Sequence, residues 1–356
     1  MKTNHNNFLN LAFNLAKINL GKTKSNPSVG CVVVKKDSVI SSGYTSINGR
    51  PHAEFNALNK KINFAGSDLY VTMEPCTHYG LTPPCTDLII KKGIKRVFFS
   101  FNDVDKRTAK QSKSKLKRIK IKVFKKKNNN FPDFYNSYFV FKNGALPFLD
   151  AKIATSKDYL TINKNKKWIT NLLSRNRAHL IRSEYDVIMS TSKTINEDNS
   201  LLNCRLKGFD NSKPDLVIID INLKLKKKLD IFKKKNKRKI FIVTSVLKGN
   251  KINYFKRKGI RIIPIKLLKQ KKDFIKLFKI LKNFGFNRIL VESGLIFLNK
   301  LVENKFINNL YLFKSSEMLK KNGKNNTSSN ILKTFKLSNK IKVNLDNDKL
   351  YKVKIK

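Results

Sequence analysis

The chain has 356 residues, with 76 Lys and Arg against 24 Asp and Glu, a formal net charge of +52 and four cysteines. That length suits two domains of ordinary size, and so few cysteines exclude a disulfide scaffold. No uncharged apolar stretch approaches the roughly 18 residues a membrane-spanning helix needs, and the N-terminus lacks the charged, apolar, small-residue order of a secretion signal, so a cytoplasmic protein with reduced thiols and no membrane partner is expected.

A charge this large can mark a nucleic-acid surface. The lysines, however, are spread along the chain, in Lys226–Lys228 and Lys266–Lys272 alike, among abundant Asn, Ile and Phe. That mixture reads as compositional drift, which steers anionic small molecules without implying a specific nucleic-acid partner.

Phe8, Leu11, Ala12, Leu15 and Ile18 recur at three- and four-residue steps and predict an amphipathic helix lying on a sheet. Cys31–Val34 and Val39–Ile40, joined by Lys35-Lys36-Asp37-Ser38, predict a hairpin. Pro51 suits a first helical position, and Ala53, Phe55, Ala57 and Leu58 continue that helix. Leu69–Thr72 reads as a strand. After the loop from Met73 to Pro84, Cys85–Lys92 reads as a helix stopped by Gly93, and Arg96–Ser100 as a buried strand. A basic stretch from Lys106 to Asn130 holds one predicted strand, Ile119–Val123.

The alternation then restarts. Phe148–Ala154, Asp186–Ser190, Leu216–Asp220, Ile240–Thr244, Ile260–Pro264 and Arg288–Val291 read as strands with helical segments between several of them, and Leu350–Ile355 alternates as a closing edge strand would. Strands alternating with helices define an α/β class. No repeat relates the halves, so two different domains, 1–145 and 146–356, are expected.

His52, Glu54, Cys76 and Cys85 carry the clearest chemistry. One imidazole and two thiolates form a three-ligand set for Zn2+, with the fourth tetrahedral position left to water. Zinc lowers the pKa of such a water to about 7. Glu54 is not needed as a ligand and fits a proton shuttle. First-turn positions for His52 and Cys85 would turn positive helix ends towards the metal. His-x-Glu followed by Pro-Cys and a second Cys is the order found in zinc nucleobase deaminases, here with a longer cysteine spacing. A structural zinc site, which would want a fourth protein ligand, and unconnected residues are the alternatives.

The loop Met73-Glu74-Pro75-Cys76-Thr77-His78-Tyr79-Gly80-Leu81-Thr82-Pro83-Pro84-Cys85, with eight residues between its cysteines, resembles that of the bifunctional pyrimidine deaminase/reductases of riboflavin biosynthesis. Asn26-Pro27-Ser28-Val29-Gly30-Cys31-Val32-Val33-Val34 is similar to the opening motif of that family. The resemblance continues through Lys152–Asp158, Trp168–Thr170, Thr194–Asp198, Leu202–Arg205 and Val291–Gly294, and so covers residues 7 to at least 313.

The resemblance implies an N-terminal three-layer cytidine-deaminase-like domain and a C-terminal dihydrofolate-reductase-like α/β domain that uses NADPH. It places Asn26 and His78 against the pyrimidine substrate. Ala154, Trp168, Thr194 and Asp198 would line the NADPH site, and Gly294 would open a helix towards cofactor phosphate. Arg182, Leu202, Arg205 and Glu292 would meet the reductase substrate. The implied activity is deamination of a diaminopyrimidinone ribosylamine phosphate followed by reduction of its ribosyl group, in a homo-oligomer.

Several positions depart from the family. Leu81 stands where the family usually carries Arg or Lys, a residue suited to the ribose phosphate of the substrate, Thr45 replaces a His, Tyr159-Leu160 a Gly-Arg pair, Asn199-Ser200 an Asp-Pro pair, and Leu295 a Pro. Two further readings stay open: a deaminase with an impaired reductase domain, and a basic base deaminase acting on nucleic acid.

Overall fold

Two separate sheets organise the chain. The computed structural model describes residues 4–105, 107, 109–209, 214–233 and 238–356, and its contacts divide the chain into two units, residues 1–145 and 146–356. Lys106, which opens the basic stretch, lies outside the described residues. Among those described, no helix is long and apolar enough to cross a membrane.

The first unit runs α1 (His5–Lys17), β1 (Gly30–Lys35), β2 (Ser38–Tyr44), α2 (Ala53–Leu58), β3 (Asp68–Met73), α3 (Cys85–Lys91), β4 (Arg96–Phe101), α4 (Ser112–Arg118), β5 (Lys122–Lys125) and α5 (Asn136–Asn143). Its sheet order is β2-β1-β3-β4-β5. Strand β1 is antiparallel to β2 and β3, and β3, β4 and β5 run parallel. The two-residue period of a strand sorts the side chains onto opposite faces. Val32, Val34, Tyr70 and Phe98 meet Leu9 and Ala12 of α1, whereas Cys31, Val33, Leu69, Val71 and Val97 meet Ala53, Ala57 and Leu58 of α2 and Ile89 of α3. Three layers result.

Local details correct the expectations. The hairpin turn is tighter than four residues: Lys35 pairs with Ser38, and Lys36 and Asp37 alone turn the chain, both at positive φ, as a turn matched to strand twist requires. Helix α1 buries Leu9, Ala12, Phe13 and Ala16, while Leu11 and Ile18 are exposed. Its small residues face the sheet because the backbones approach closely there; a β-carbon on Gly30 would lie 1.9 Å from the Ala12 carbonyl oxygen.

Pro51 is not the first helical residue. It follows a cis peptide bond, and its carbonyl accepts the Ser46 N–H at 3.0 Å, which turns the chain back beside β2. His52 is therefore an extended N-cap, and α2 begins at Ala53. The strand expected at Ile119–Val123 is displaced to Lys122–Lys125. Helix α4 occupies the chain through Arg118, Ile119 caps it, and Lys120 at positive φ makes the turn.

The second unit runs β6 (Phe148–Thr155), β7 (Ile162–Asn163), α6 (Leu172–Ser183), β8 (Val187–Thr191), α7 (Ser192–Asp198), β9 (Asp215–Ile219), β10 (Ile240–Thr244), α8 (Asn250–Arg257), β11 (Arg261–Pro264), α9 (Lys271–Asn283), β12 (Arg288–Val291), α10 (Leu295–Glu303), β13 (Asn309–Lys314), β14 (Gly323–Lys324) and β15 (Lys349–Lys354). The main sheet has the order β11-β10-β9-β8-β12-β6-β13-β15, and β14 pairs with β7 apart from it. All its pairings are parallel except β13 with β15. Helices α9 and α10 cover one face through Phe274, Leu277, Leu295 and Leu298; α6, α7 and α8 cover the other through Ile181, Ile195 and Phe255.

Strand β8 leads through α7 to β9 on one side, whereas β12 leads through α10 past β6 to β13 on the other. The direction of winding, not of the strands, reverses between these neighbours, which makes their carboxyl ends a topological switch point. Open α/β sheets bind ligands at such switch points.

The close approach of α1 to β1 yields a direct check. Gly30→Ala is expected to cost about 1–3 kcal/mol through overpacking, seen as a lower denaturation midpoint; an unchanged midpoint would contradict this packing.

Candidate metal centre and reductase crevice

In the first unit, three separate segments bring ligand atoms together. His52 caps α2, Cys85 is the first residue of α3, and Cys76 lies on the loop after β3. Cys85 accordingly holds the first-turn position read from sequence, and His52 sits one residue before its helix. The Cys85 N–H donates to Cys76 Sγ at 3.2 Å, and the Thr86 N–H and hydroxyl both donate to the Cys76 carbonyl, at 3.1 and 3.2 Å. These bonds tie the loop to the start of α3.

His52 Nδ1 lies 3.7 Å from Cys76 Sγ and 3.5 Å from Cys85 Sγ. A tetrahedral zinc with ordinary Zn–S and Zn–N lengths sets nitrogen and sulfur about 3.6 Å apart, so the side chains fit that ion. Among the described residues, the group of ligand atoms within 4.8 Å of one another holds these three residues. Three protein ligands match a catalytic site with an open position better than a closed structural one.

Charge is shared unevenly in this cluster. Hydrogen bonds from Cys85 and His52 hold the Cys76 thiol down at about 4, while the bond to Cys76 and burial push Cys85 well up. The bond to Cys76 also raises His52. A bound cation removes the repulsion that resists the second thiolate. Glu54, on α2 and outside the ligand set, is buried; desolvation and the Cys76 charge push its carboxyl to about 7.

Asn26 donates from Nδ2 to the Gly49 carbonyl at 2.9 Å and so braces the segment that leads into His52. His78 is half-buried on the cysteine loop, and Leu81 is 87% exposed at its tip.

Sequence reasoning passed over Glu74. Its buried carboxylate accepts the N–H groups of Asp103 at 3.3 Å, Lys110 at 3.0 Å and Ser112 at 3.3 Å, and the Ser112 hydroxyl at 2.9 Å. It pins Asp103, Lys110 and Ser112 to the end of β3, and the Thr77 hydroxyl donates to the Arg107 carbonyl at 3.4 Å. An acid at the end of the apolar strand β3 was the available signal.

In the second unit, Glu292 leaves the carboxyl end of β12 at the switch point. Arg182 grips it with two bonds, Nε to Oε1 at 2.5 Å and Nη2 to Oε2 at 2.9 Å, the geometry in which a guanidinium binds a carboxylate most strongly. Lys152 Nζ lies 3.6 Å from Oε2. Burial alone would raise the Glu292 pKa, but Arg182 and Lys152 pull it down to about 2.

Arg182 Nη1 and His179 Nδ1 donate to the Asn203 carbonyl at 3.2 and 2.8 Å, and Arg205 Nη1 to Asn203 Oδ1 at 2.7 Å. Leu202 is buried at positive φ, and its carbonyl accepts from Arg238 at 2.6 Å. Arg182, Leu202, Arg205 and Glu292 thus form one continuous group. Lys152, His179, Asn203 and Arg238 belong to it; Lys152 and Asn203 lay in motifs read from sequence but were given no role there, and His179 and Arg238 were not singled out, because a role that exists only through tertiary contact leaves no local signal. Burial and the Arg182 charge lower His179 to about 4, so it is a neutral donor near pH 7. Several guanidinium and ammonium groups around one carboxylate make an anion-attracting wall.

The residues expected at a cofactor are placed less uniformly. Ala154 lies near the carboxyl end of β6. Thr194 is in the first turn of α7, its N–H donating to Thr191 Oγ1 at 3.3 Å. Asp198 ends α7, its pKa raised mainly by burial, and it acts electrostatically on Lys152. Gly294 is the N-cap of α10, and a β-carbon there would meet nothing nearer than Asn326 Nδ2 at 4.0 Å, which leaves the helix start open to an anion. Trp168 is 54% exposed, with the Arg175 guanidinium 5.0 Å from its ring centroid.

Two departures have a physical account. Tyr159, which stands in a glycine position of the family, keeps the left-handed conformation at φ 64; Asn325 and Asn330 donate to its carbonyl at 3.2 and 2.8 Å, and the Lys314 ammonium lies 4.0 Å from its ring centroid. Asn199 ends α7 in the left-handed region, which asparagine tolerates.

The first unit, a sheet with a His-Cys-Cys cluster beside a buried glutamate, defines a deaminase-like metal enzyme; the second, with Glu292 and its cations at the switch point of the sheet, suits a reductase. Residues 2–101 match the cytidine and deoxycytidylate deaminase zinc-binding region, and residues 147–345 match the RibD C-terminal domain. The chain is 31% identical to the riboflavin biosynthesis protein RibD of Aquifex aeolicus, over 86% of this chain and 85% of that one. It is 30% identical to the RibD of Actinobacillus pleuropneumoniae, over 86% and 82%. A solved Thermotoga maritima deaminase/reductase superposes with a TM-score of 0.83 at 27% identity, over 98% of both chains.

The chain belongs to the RibD family. It is a bifunctional deaminase and reductase of riboflavin biosynthesis.

Metal analysis tests the cluster. The purified chain is expected to hold about one zinc ion per molecule, lost in His52→Ala and in Cys85→Ala but kept in Glu54→Gln. Retention in either ligand variant, or loss in Glu54→Gln, would contradict the assignment.

Proposed function

We propose that residues 1–145 remove an exocyclic amine from a diaminopyrimidinone ribosylamine phosphate and that residues 146–356 then reduce its ribosyl group to ribityl with NADPH. The observation that carries the first step is the buried carboxylate of Glu54 beside three converging ligand atoms with no fourth protein ligand among the described residues. The Thermotoga maritima relative is a diaminohydroxyphosphoribosylaminopyrimidine deaminase and 5-amino-6-(5-phosphoribosylamino)uracil reductase, which supports this substrate class.

His52, Cys76 and Cys85 would hold Zn2+, which lowers the pKa of a coordinated water to about 7 and so supplies hydroxide at neutral pH. Glu54 takes the two protons of the attacking water in turn, passing one to the ring nitrogen and one to the departing amine, which leaves as ammonia while the ring carbon becomes a carbonyl. Burial favours this role, because a glutamate held near neutrality can both accept and donate. Asn26 positions the ring, and His78 contacts the substrate from the cysteine loop.

In the second unit NADPH would supply the hydride when bound: Gly294 and the start of α10 would hold its phosphates, and Ala154, Trp168, Thr194 and Asp198 would line it. Arg182, Arg205 and the backbone at Leu202 hold the substrate, and Glu292 stays ionised under Arg182 and Lys152 to accept hydrogen bonds. The intact Arg182–Glu292 pair and the open helix start at Gly294 favour an active reductase over a relic domain. The four free cysteines suit a reducing compartment.

Activities should separate by mutation. Glu54→Gln is expected to cut ammonia release by roughly 100- to 10,000-fold while leaving NADPH oxidation on the deaminated compound intact. Glu292→Gln is expected to do the reverse. Normal ammonia release by Glu54→Gln would overturn the deaminase mechanism, and normal NADPH oxidation by Glu292→Gln the reductase one.

A further inference from the structure

The phosphate of the proposed substrate needs a cation near the metal cluster, and the cysteine loop presents Leu81 at its tip. A cation reaches that loop from the opposite segment. Arg50 Nη1 donates to Thr82 Oγ1 at 2.6 Å, which fixes the guanidinium plane against the loop. Its Nη2 then lies 3.5 Å from the point where a side chain on Gly80 would begin, and His78 Nε2 lies 3.8 Å from the same point. Arg50 and His78 thus converge beside Gly80, which has no side chain to cover them.

The segment behind Arg50 is held firmly. Asn26 bonds to the Gly49 carbonyl, and the Asn48 N–H donates to the Lys22 carbonyl at 2.8 Å. Asn48 and Gly49 both adopt positive φ, so the turn delivers Arg50 in one direction. Only Pro51 separates it from His52.

We propose that Arg50 is the anion-recognising residue of the deaminase site: with His78 it binds the substrate phosphate and takes over the contact that Leu81 cannot make. This rests on the substrate class proposed above. A guanidinium keeps its charge at any working pH and offers two N–H groups to a phosphate, here with one nitrogen already oriented by Thr82. Arg50 is then a specificity residue, selecting phosphorylated over unphosphorylated ribosylamines without taking part in the proton transfers of Glu54.

The test is steady-state ammonia release by the zinc-loaded full chain on the phosphorylated ribosylamine and on its dephosphorylated counterpart, comparing Arg50→Ala and Arg50→Ala/Leu81→Lys with the parent. Arg50→Ala is expected to raise KM for the phosphorylated compound roughly 10- to 100-fold, with kcat and zinc content little changed. The preference for the phosphorylated compound should collapse, and Leu81→Lys should restore much of it. An unchanged KM, or an equal loss on both compounds, overturns the proposal. If the parent released no ammonia, the deaminase reading would fall instead, and calorimetric binding of the phosphorylated compound would still decide on Arg50: weaker in Arg50→Ala supports the contact, identical refutes it.

Discussion

Everything the first unit does depends on holding one imidazole nitrogen about 3.6 Å from two sulfurs that are distant in sequence. No single element provides this. Gly43 lets α2 settle on β2, since a β-carbon there would come within 2.5 Å of the Ala53 carbonyl oxygen and the Ala57 nitrogen, and that contact places the His52 cap. The parallel pair β3 and β4 then sets where the cysteine loop departs and where α3 returns. Glu74 and the amide of Cys85 complete the frame with hydrogen bonds. The cost of bringing thiols, imidazole and carboxylate together out of water is offset when a dication occupies the centre.

Diffuse charge and oriented charge do different work in this chain. The net +52 is diffuse, and exposed lysines are screened over about 8–10 Å at physiological salt, so bulk charge steers without selecting. Selection comes from cations that are oriented: Arg182 on Glu292 in the second unit, and Arg50 against Thr82 in the first. In both, a neighbouring acceptor aligns a guanidinium.

Much of this was readable before any coordinates. Strands β10 and β12 fall where their apolar runs predicted, because buried parallel strands write continuous hydrophobic segments, and the cysteine loop carried its own chemistry. What stayed hidden was set by tertiary contact. The face of α1 was read in part: Phe8, Ala12 and Leu15 pack as expected, but Leu9, Phe13 and Ala16 are buried as well and Leu11 and Ile18 are exposed. Strand β13 was not foreseen although Asn309–Lys314 lies between β6 and β15. Lys152, Asn203 and Arg238 gain their meaning only when β6, α6 and the loop after α7 meet around Glu292, and Arg50 only when Gly80 is seen to leave room beside it.

The central claim is a three-ligand zinc centre with an open position. X-ray absorption at the zinc edge of the purified chain measures it directly. The account predicts two sulfurs at about 2.3 Å and two nitrogen or oxygen scatterers at about 2.0–2.1 Å, one from His52 and one from solvent. A shell of three or four sulfurs, or zinc bound without His52, would contradict it.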